Sequence, residues 1–130
     1  MTSSVLKLAR LGLIAGLGLS PSLGLSLPAL AGGAGTYAVK GNNGEKGTDY
    51  TGTLVITQTS KDTFKLSWNI GGDKYDGFAV GDARILAASF VSDGSSGAAL
   101  LVDDEAGGYK SIWAFKGETK LGVEMITPKK

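Results

Sequence analysis

Apolar and polar residues alternate along the chain from residue 36 onward, with the period of a β-strand that buries one face. The segment 63–70, TFKLSWNI, shows this most clearly, because Phe64, Leu66 and Trp68 share one face and polar residues occupy the other. No stretch of this region has the apolar spacing of an amphipathic helix. We therefore predict an all-β domain.

Short turn segments divide the pattern into eight β-prone segments. GGD at 71–73 and GD at 81–82 are typical of tight turns, and SDGSSG at 92–97 is expected to separate two strands. The connections are too short for parallel crossovers, so neighbouring strands are expected to be antiparallel. The predicted strands cover residues 36–41, 50–59, 63–70, 74–80, 83–91, 98–104, 109–116 and 121–127.

One strand and turn per roughly 12 residues is the spacing of a β-sandwich or a β-barrel. Leu54 and Ile56 lie on one face of their segment, as do Tyr109, Trp113 and Phe115 on theirs. A meander of hairpins with one apolar face closes most simply when its last strand joins its first. We predict an eight-stranded antiparallel up-and-down barrel, with a β-sandwich as the alternative.

The beginning of the chain has the features of a secretory signal peptide in their usual order. Lys7 and Arg10 precede the apolar run 11–19, prolines follow, and a small-x-small cleavage site ends at Ala31. An uncleaved membrane anchor is the alternative, because a helix needs about 20 apolar residues to span a bilayer. The prolines and serines of this segment argue against the anchor.

We predict a signal peptide over residues 1–31 and a single domain over residues 32–130, exported to the periplasm or secreted. No stable membrane insertion is expected after cleavage. The domain is large enough to hold a core without disulfides or metals, which small domains need mainly below roughly 40 residues.

The predicted domain is nearly neutral. The chain has 13 Lys and Arg and 12 Asp and Glu, and Lys7 and Arg10 precede residue 32, which leaves 11 − 12 = −1. No basic stripe remains to bind a phosphate backbone, so nucleic acid is not an expected partner.

The residues that most often carry catalysis are missing from the sequence. It contains no Cys and no His, which removes the usual thiol nucleophile and the commonest general base and metal ligand. Ser67, Ser89 and Ser111 lie within predicted strands, with no histidine to activate them and no nucleophile elbow. We expect no enzymatic activity and no cofactor.

Two polar segments resemble ligand motifs but fit them poorly. The run Asp103, Asp104 and Glu105 offers oxygen ligands for Ca²⁺, yet its spacing matches no calcium loop, so we interpret it as a solvated turn. The segment 41–47, GNNGEKG, lacks the Gly-Lys-Ser/Thr ending of a phosphate loop and is interpreted as a hairpin loop. No metal site is predicted.

A set of glycine, aromatic and aliphatic positions runs through the predicted domain and ends in LGVEMITP at 121–128: Gly35, Tyr37, Val39, Gly41, Gly47, Tyr50, Gly52, Ile56, Thr57, Trp68 and Gly71. Together these positions resemble a family of small exported bacterial proteins often labelled fibronectin-binding or simply uncharacterised. The resemblance extends over nearly all of residues 32–130. It implies an exported β-barrel that binds an extracellular protein.

The opening Gly35-Thr36-Tyr37 and the count of eight predicted strands resemble, more distantly, the calycin superfamily, the avidins and lipocalins. The chain differs from lipocalins in having Tyr37 where they usually carry Trp, and from avidins in having only two tryptophans. The resemblance implies a small molecule bound in the open end of the barrel.

The candidate ligand-binding residues are the large aromatic ones. Trp68 and Trp113 are predicted to face the same interior, with Tyr37, Tyr50 and Tyr109 placing hydroxyls near the mouth, since buried rings supply area and phenols supply orientation. The alternative is that both tryptophans only fill the barrel, whose interior is just wide enough for side chains or one small ligand.

Three function classes follow. The first is a non-catalytic protein that binds a small apolar or amphipathic molecule in the barrel mouth. The second is a protein-binding module, adhesin-like or an inhibitor of a secreted enzyme. The third is a structural envelope protein.

Overall fold

The structure, a computed structural model, describes residues 32–130, and the predicted signal peptide lies outside them. This part of the chain folds into eight β-strands and contains no helix; accordingly, no helix in it could cross a membrane. The strands are β1 (Gly35–Asn42), β2 (Tyr50–Gln58), β3 (Thr63–Ile70), β4 (Asp73–Asp82), β5 (Ile85–Ser92), β6 (Ser95–Asp103), β7 (Tyr109–Phe115) and β8 (Gly122–Pro128).

The strands form a closed antiparallel barrel in sequence order, which confirms the predicted fold and excludes the sandwich. Closure occurs between β1 and β8, as predicted. Val39 lies opposite Gly52 of β2 on one side and opposite Ile126 of β8 on the other. Both edges of the meander are therefore hydrogen-bonded, which removes the open donors and acceptors of an edge strand.

Alternate residues of every strand point into the barrel, where they form one hydrophobic core. On β3, Phe64, Leu66 and Trp68 are buried while the residues between them are not. The same period holds on β5, where Leu86, Ala88 and Phe90 are buried. The sequence pattern thus orients most strands correctly.

The turns are shorter than the sequence suggested, and the turn segments predicted at 71–73, 81–82 and 92–97 all have wrong boundaries. In GGD, Asp73 already belongs to β4 and pairs with Ile70. SDGSSG is not a separate loop, because ladder pairing continues to Ser92 and Ser95 and only Asp93 and Gly94 form the turn. Both have positive φ, 48° and 83°, as a type I′ hairpin turn requires. Small polar residues fit these strand ends because the flanking positions face solvent.

The GD segment at 81–82 likewise belongs to β4 and not to the turn that follows it. Asp82 pairs with Ile85 across a two-residue turn, and its carboxylate accepts hydrogen bonds from the backbone N–H groups of Arg84 and Ile85 at 2.9 and 3.3 Å. The side chain therefore stabilises the turn from the strand end, as Asp often does.

The barrel has two distinct ends, which we call the cavity end and the tyrosine end. The cavity end carries the β1–β2, β3–β4, β5–β6 and β7–β8 connections. The tyrosine end carries the other three connections and residues 32–34. There, the Tyr109 hydroxyl donates to the Ala83 carbonyl at 3.0 Å and accepts from the Gly33 N–H at 2.7 Å, and the Tyr37 hydroxyl donates to the Gly33 carbonyl at 2.7 Å.

Candidate ligand-binding cavity

A cavity of about 410 Å³ lies inside the barrel at the cavity end. Its wall includes side chains from the interior faces of β2 to β8, and its rim includes Asn43 and Glu45 of the β1–β2 loop and Glu118 and Lys120 of the β7–β8 loop. The volume falls within the range of small-molecule sites, roughly 300 to 1,000 Å³. This half of the barrel is therefore not filled by its own side chains.

Six aromatic rings line the cavity and contact one another. Phe90 is central: its ring centroid lies 5.3 Å from that of Phe115 and 5.9 Å from that of Trp68, in edge-to-face geometry. Edge-to-face contacts at this distance are the favourable arrangement for aromatic pairs. The rings are Tyr50, Trp68, Tyr75, Phe90, Trp113 and Phe115.

Glycines on the inner face of adjacent strands make room for these large rings. Even a methyl group at these positions would collide with the neighbouring ring. The glycines therefore leave space for tryptophan inside a narrow barrel. Aromatic rings packed over strand glycines are also used in designed sheets. The pairs are Trp113 over Gly122, Trp68 over Gly77 and Phe90 over Gly97.

Glu124 of β8 points into the barrel and is only 7% exposed. Its Oε2 accepts a hydrogen bond from the Tyr50 hydroxyl at 2.6 Å, and its Oε1 accepts one from Trp68 Nε1–H at 3.2 Å. Burial raises the pKa of the carboxyl, and the two hydrogen bonds partly oppose this rise. Within residues 32–130, no Lys or Arg forms an ion pair with it.

Two further polar groups, the Tyr50 hydroxyl and Trp113 Nε1–H, belong to residues that line the same cavity as Glu124. Burial, followed by the charge of Glu124, raises the pKa of Tyr50, so its hydroxyl stays protonated and donates. Trp113 Nε1–H lies near the Tyr50 hydroxyl and slightly opposes the rise in the pKa of Tyr50. The contact does not have hydrogen-bond geometry, however. This buried N–H therefore has no partner in the described chain, and an unpartnered buried donor costs free energy.

The rim of the cavity carries an ion pair between two loops. Lys120 Nζ lies 2.7 Å from Glu45 Oε2, and this contact lowers the pKa of Glu45. The pair joins the β1–β2 and β7–β8 loops across 75 positions of sequence. Counting Glu118 and Glu124, the cavity has three carboxylates and one ammonium group, so its electrostatic character is negative.

The structure brings together three of the five residues predicted as a site. Trp68, Trp113 and Tyr50 line the cavity. Tyr37 and Tyr109 do not: they pack against each other at the tyrosine end with ring centroids 5.9 Å apart. Burial and the neighbouring Tyr109 raise the pKa of Tyr37 to about 12, so its hydroxyl stays protonated and donates to the Gly33 carbonyl.

The sequence interpretation missed Glu124, Tyr75, Phe90 and Phe115 as members of the site. Glu124 was missed because Val123 and Met125 on either side of it are apolar, which suggests that they face inward. They are instead exposed on the outer face. Gly122 was the signal that could have indicated the inward face of β8, because glycines occupy inward positions on other strands of this barrel. Glu124 is two residues after Gly122 and therefore faces the same side.

The acidic run between β6 and β7 stabilises its own loop. The Asp104 carboxylate accepts hydrogen bonds from the backbone N–H groups of Ala106 and Gly108 at 2.8 and 3.0 Å, and the Asp103 carboxylate accepts one from that of Glu105 at 2.8 Å. These carboxylates act as turn residues.

Comparison with known proteins gives no family for this chain. No family model, no curated protein and no solved structure matches it. The architecture, an eight-stranded antiparallel barrel, is compatible with a calycin-like fold.

Proposed function

We propose that this chain is an exported, non-catalytic binding protein that takes a small amphipathic molecule into the cavity. The observation that carries the proposal is the unfilled volume of about 410 Å³, open at the cavity end and lined by aromatic rings with a buried carboxylate in its wall. Concave, mostly apolar sites with a few polar groups are typical of small-molecule binding.

The contrast between the two halves of the barrel supports this proposal over a purely structural role. In the tyrosine half, Tyr109 is fully buried and its hydroxyl is bonded to backbone. In the cavity half, Trp113 is only partly buried and its N–H has no partner among the described residues. A chain selected only for packing has no need to hold an unpartnered donor and a buried carboxylate in the wall of one cavity.

The test is a ligand screen with a cavity-filling variant. Purified protein is titrated with lipids, haem, pigments and biotin-like compounds, while tryptophan fluorescence and the melting temperature are followed. Ala99 is buried at the cavity wall, so Ala99→Leu should abolish binding of any compound found. Ala98→Leu is the matched control, because Ala98 is exposed on the same strand. Equal binding by both variants, or no response to any compound, would refute the proposal.

Export is proposed from the signal-peptide features of residues 1–31. Cleavage after Ala31 is expected, and the intact mass of the exported protein measures it. A mature species that still contains Lys7 and Arg10 would contradict export by this route.

A second candidate function is binding of an extracellular protein, adhesin-like or of the fibronectin-binding type. It is favoured by an exposed apolar strip on the outer face of β6, β7 and β8, where Leu100, Ile112 and Val123 lie side by side in register. Contiguous exposed apolar patches commonly mark interaction surfaces. Ile112→Lys should weaken retention on immobilised fibronectin while leaving the cavity intact, and unchanged retention would reject this strip.

A further inference from the structure

We propose that the ligand of the cavity is an organic cation, an amine or quaternary ammonium group attached to an apolar body, with Glu124 as its counter-charge. This inference rests on the proposed function, because it specifies the chemistry of a ligand for that same cavity. Three independent observations support it: the isolated carboxylate, the aromatic lining and the charge of the rim.

The first observation is the isolation of Glu124. A buried carboxylate is costly unless it is paired or well hydrogen-bonded. Tyr50 and Trp68 supply one hydrogen bond to each oxygen, but an ionised carboxylate can accept about four. No cationic side chain in residues 32–130 completes the site as an ion pair. A cationic ligand would supply the missing charge.

The second observation is the aromatic lining around that carboxylate. Tyr50 and Trp68 contact Glu124 directly, and Trp113, Phe90 and Phe115 extend the aromatic surface. Aromatic faces attract cations through their quadrupole, and cages of rings are a recurrent means of binding quaternary ammonium groups. The lining therefore matches a cation with a methylated or apolar surface better than a hydrated metal ion.

The third observation is the charge at the rim, which disfavours an anion. Lys120 is the only cationic residue of the cavity lining, and it is already paired with Glu45. Glu118 adds a further carboxylate on the same rim. An anionic ligand would therefore meet two carboxylates without a free cation, whereas a cation is attracted from the mouth to the interior.

Three probes of matched shape test the charge preference. Benzyltrimethylammonium is the cation, neopentylbenzene is its neutral isostere with carbon in place of nitrogen, and benzylsulfonate carries the opposite charge on a tetrahedral head. Tryptophan fluorescence titrations measure each dissociation constant. We expect the cation to bind at least about tenfold more tightly than the neutral probe, and the anion not to bind.

Substitution of Glu124 tests whether this side chain causes the preference for a cation. Glu124→Gln keeps the size and one acceptor oxygen but removes the charge, so cation affinity should fall by about tenfold or more while neopentylbenzene affinity changes less than about twofold. Glu105→Gln removes a charge at an exposed position of the tyrosine end, outside the cavity lining, so it is the control and should change cation affinity by less than about threefold. Retained neutral-probe binding shows that the Glu124→Gln cavity is folded.

Each outcome separates this inference from the proposed function. Equal binding of cation and neutral probe overturns the cation preference and keeps a binding cavity. Tight cation binding that survives Glu124→Gln overturns the role of Glu124. If none of the three probes binds but another compound binds in an Ala99-dependent manner, only the cation inference fails. If nothing binds, both fail.

Discussion

Glu124 is the only charged side chain that is buried in the described part of the barrel. The free-energy cost of burying its carboxylate depends on the groups around it. The groups that face it are Tyr50 from β2 and Trp68 from β3, with Ser111 of β7 and Gly41 of β1 as its cross-strand neighbours. None of these carries a positive charge. The presence of Glu124 therefore agrees with the proposed binding role and not with a role in stability.

Glu124→Gln is therefore expected to stabilise the unliganded protein at pH 7. Because burial raises the pKa of Glu124 in the folded state, the folded protein binds the proton more tightly than the unfolded chain does. The free energy of unfolding of the wild type should then fall as the pH rises through that raised pKa. We expect a gain of about 1 kcal/mol at pH 7, or roughly 4 °C in melting temperature.

The measurement is the melting temperature of both proteins from pH 3.5 to pH 8. The gain should shrink toward acidic pH, where the wild-type carboxyl is protonated. The charged rim groups Glu45, Glu118 and Lys120 are present in both proteins and cancel in the comparison. A variant less stable than the wild type at pH 7 would show that the ionised carboxylate is already satisfied inside the protein.

The two tryptophans should respond differently to replacement by phenylalanine. Trp68 is 5% exposed and donates to Glu124, so Trp68→Phe removes a hydrogen bond and packing and should cost about 1 to 3 kcal/mol of stability. Trp113 is half-buried with an unpartnered N–H, so Trp113→Phe should cost less than about 1 kcal/mol but weaken ligand binding. Denaturant unfolding and ligand titration of both variants measure this. Equal stability losses with unchanged affinity would mark both as packing residues.

At the level of elements, the pairing of rings with glycines makes a specific prediction. Gly122→Ala places a methyl group against the Trp113 indole and should destabilise the barrel by about 1 to 3 kcal/mol. In a Trp113→Phe background the same substitution should cost less, because the atoms it meets belong to the part of the indole that phenylalanine lacks. A double-mutant cycle on the free energy of unfolding measures the coupling. Additive effects would contradict the close approach.

The sequence pattern indicates which face of most strands is buried, because the buried faces are apolar and the outer faces polar. For β8 the pattern indicates the wrong face, since Val123 and Met125 are exposed and Glu124 faces inward. Orientation there is set by pairing with β1, which places Ile126 opposite Val39 and so turns Glu124 to the interior. A single strand does not contain that constraint, because register is a property of two strands.

At the level of the whole molecule, closure through β8 should be essential. Removing residues 121–130 deletes the strand that pairs with both β1 and β7 and opens two edges at once. We expect the truncated chain to unfold or aggregate, measured by circular dichroism and size-exclusion chromatography against the full chain. A monomeric, folded truncation would mean that an open sheet suffices.

The barrel itself could be predicted, because eight antiparallel strands with one apolar face leave few ways to close. The position of the cavity could not. Nothing in the sequence pattern indicates that Tyr37 and Tyr109 fix residues 32–34 at one end while Tyr50 lies at the other, since all three face inward. Which end of a barrel is packed depends on the loops and on the sizes of residues that meet from several strands.

The central claim, that the cavity holds a ligand, is tested most directly by the two indole N–H resonances of isotopically labelled protein. The chain has two tryptophans and both line the cavity, so each resonance reports on it from a different strand. On titration with benzyltrimethylammonium, or with any compound that raises the melting temperature in the ligand screen, we expect both indole resonances to shift with one common dissociation constant. If both indole resonances stay in place at saturating concentrations of every such compound, while backbone resonances of the outer strip move, the account is contradicted.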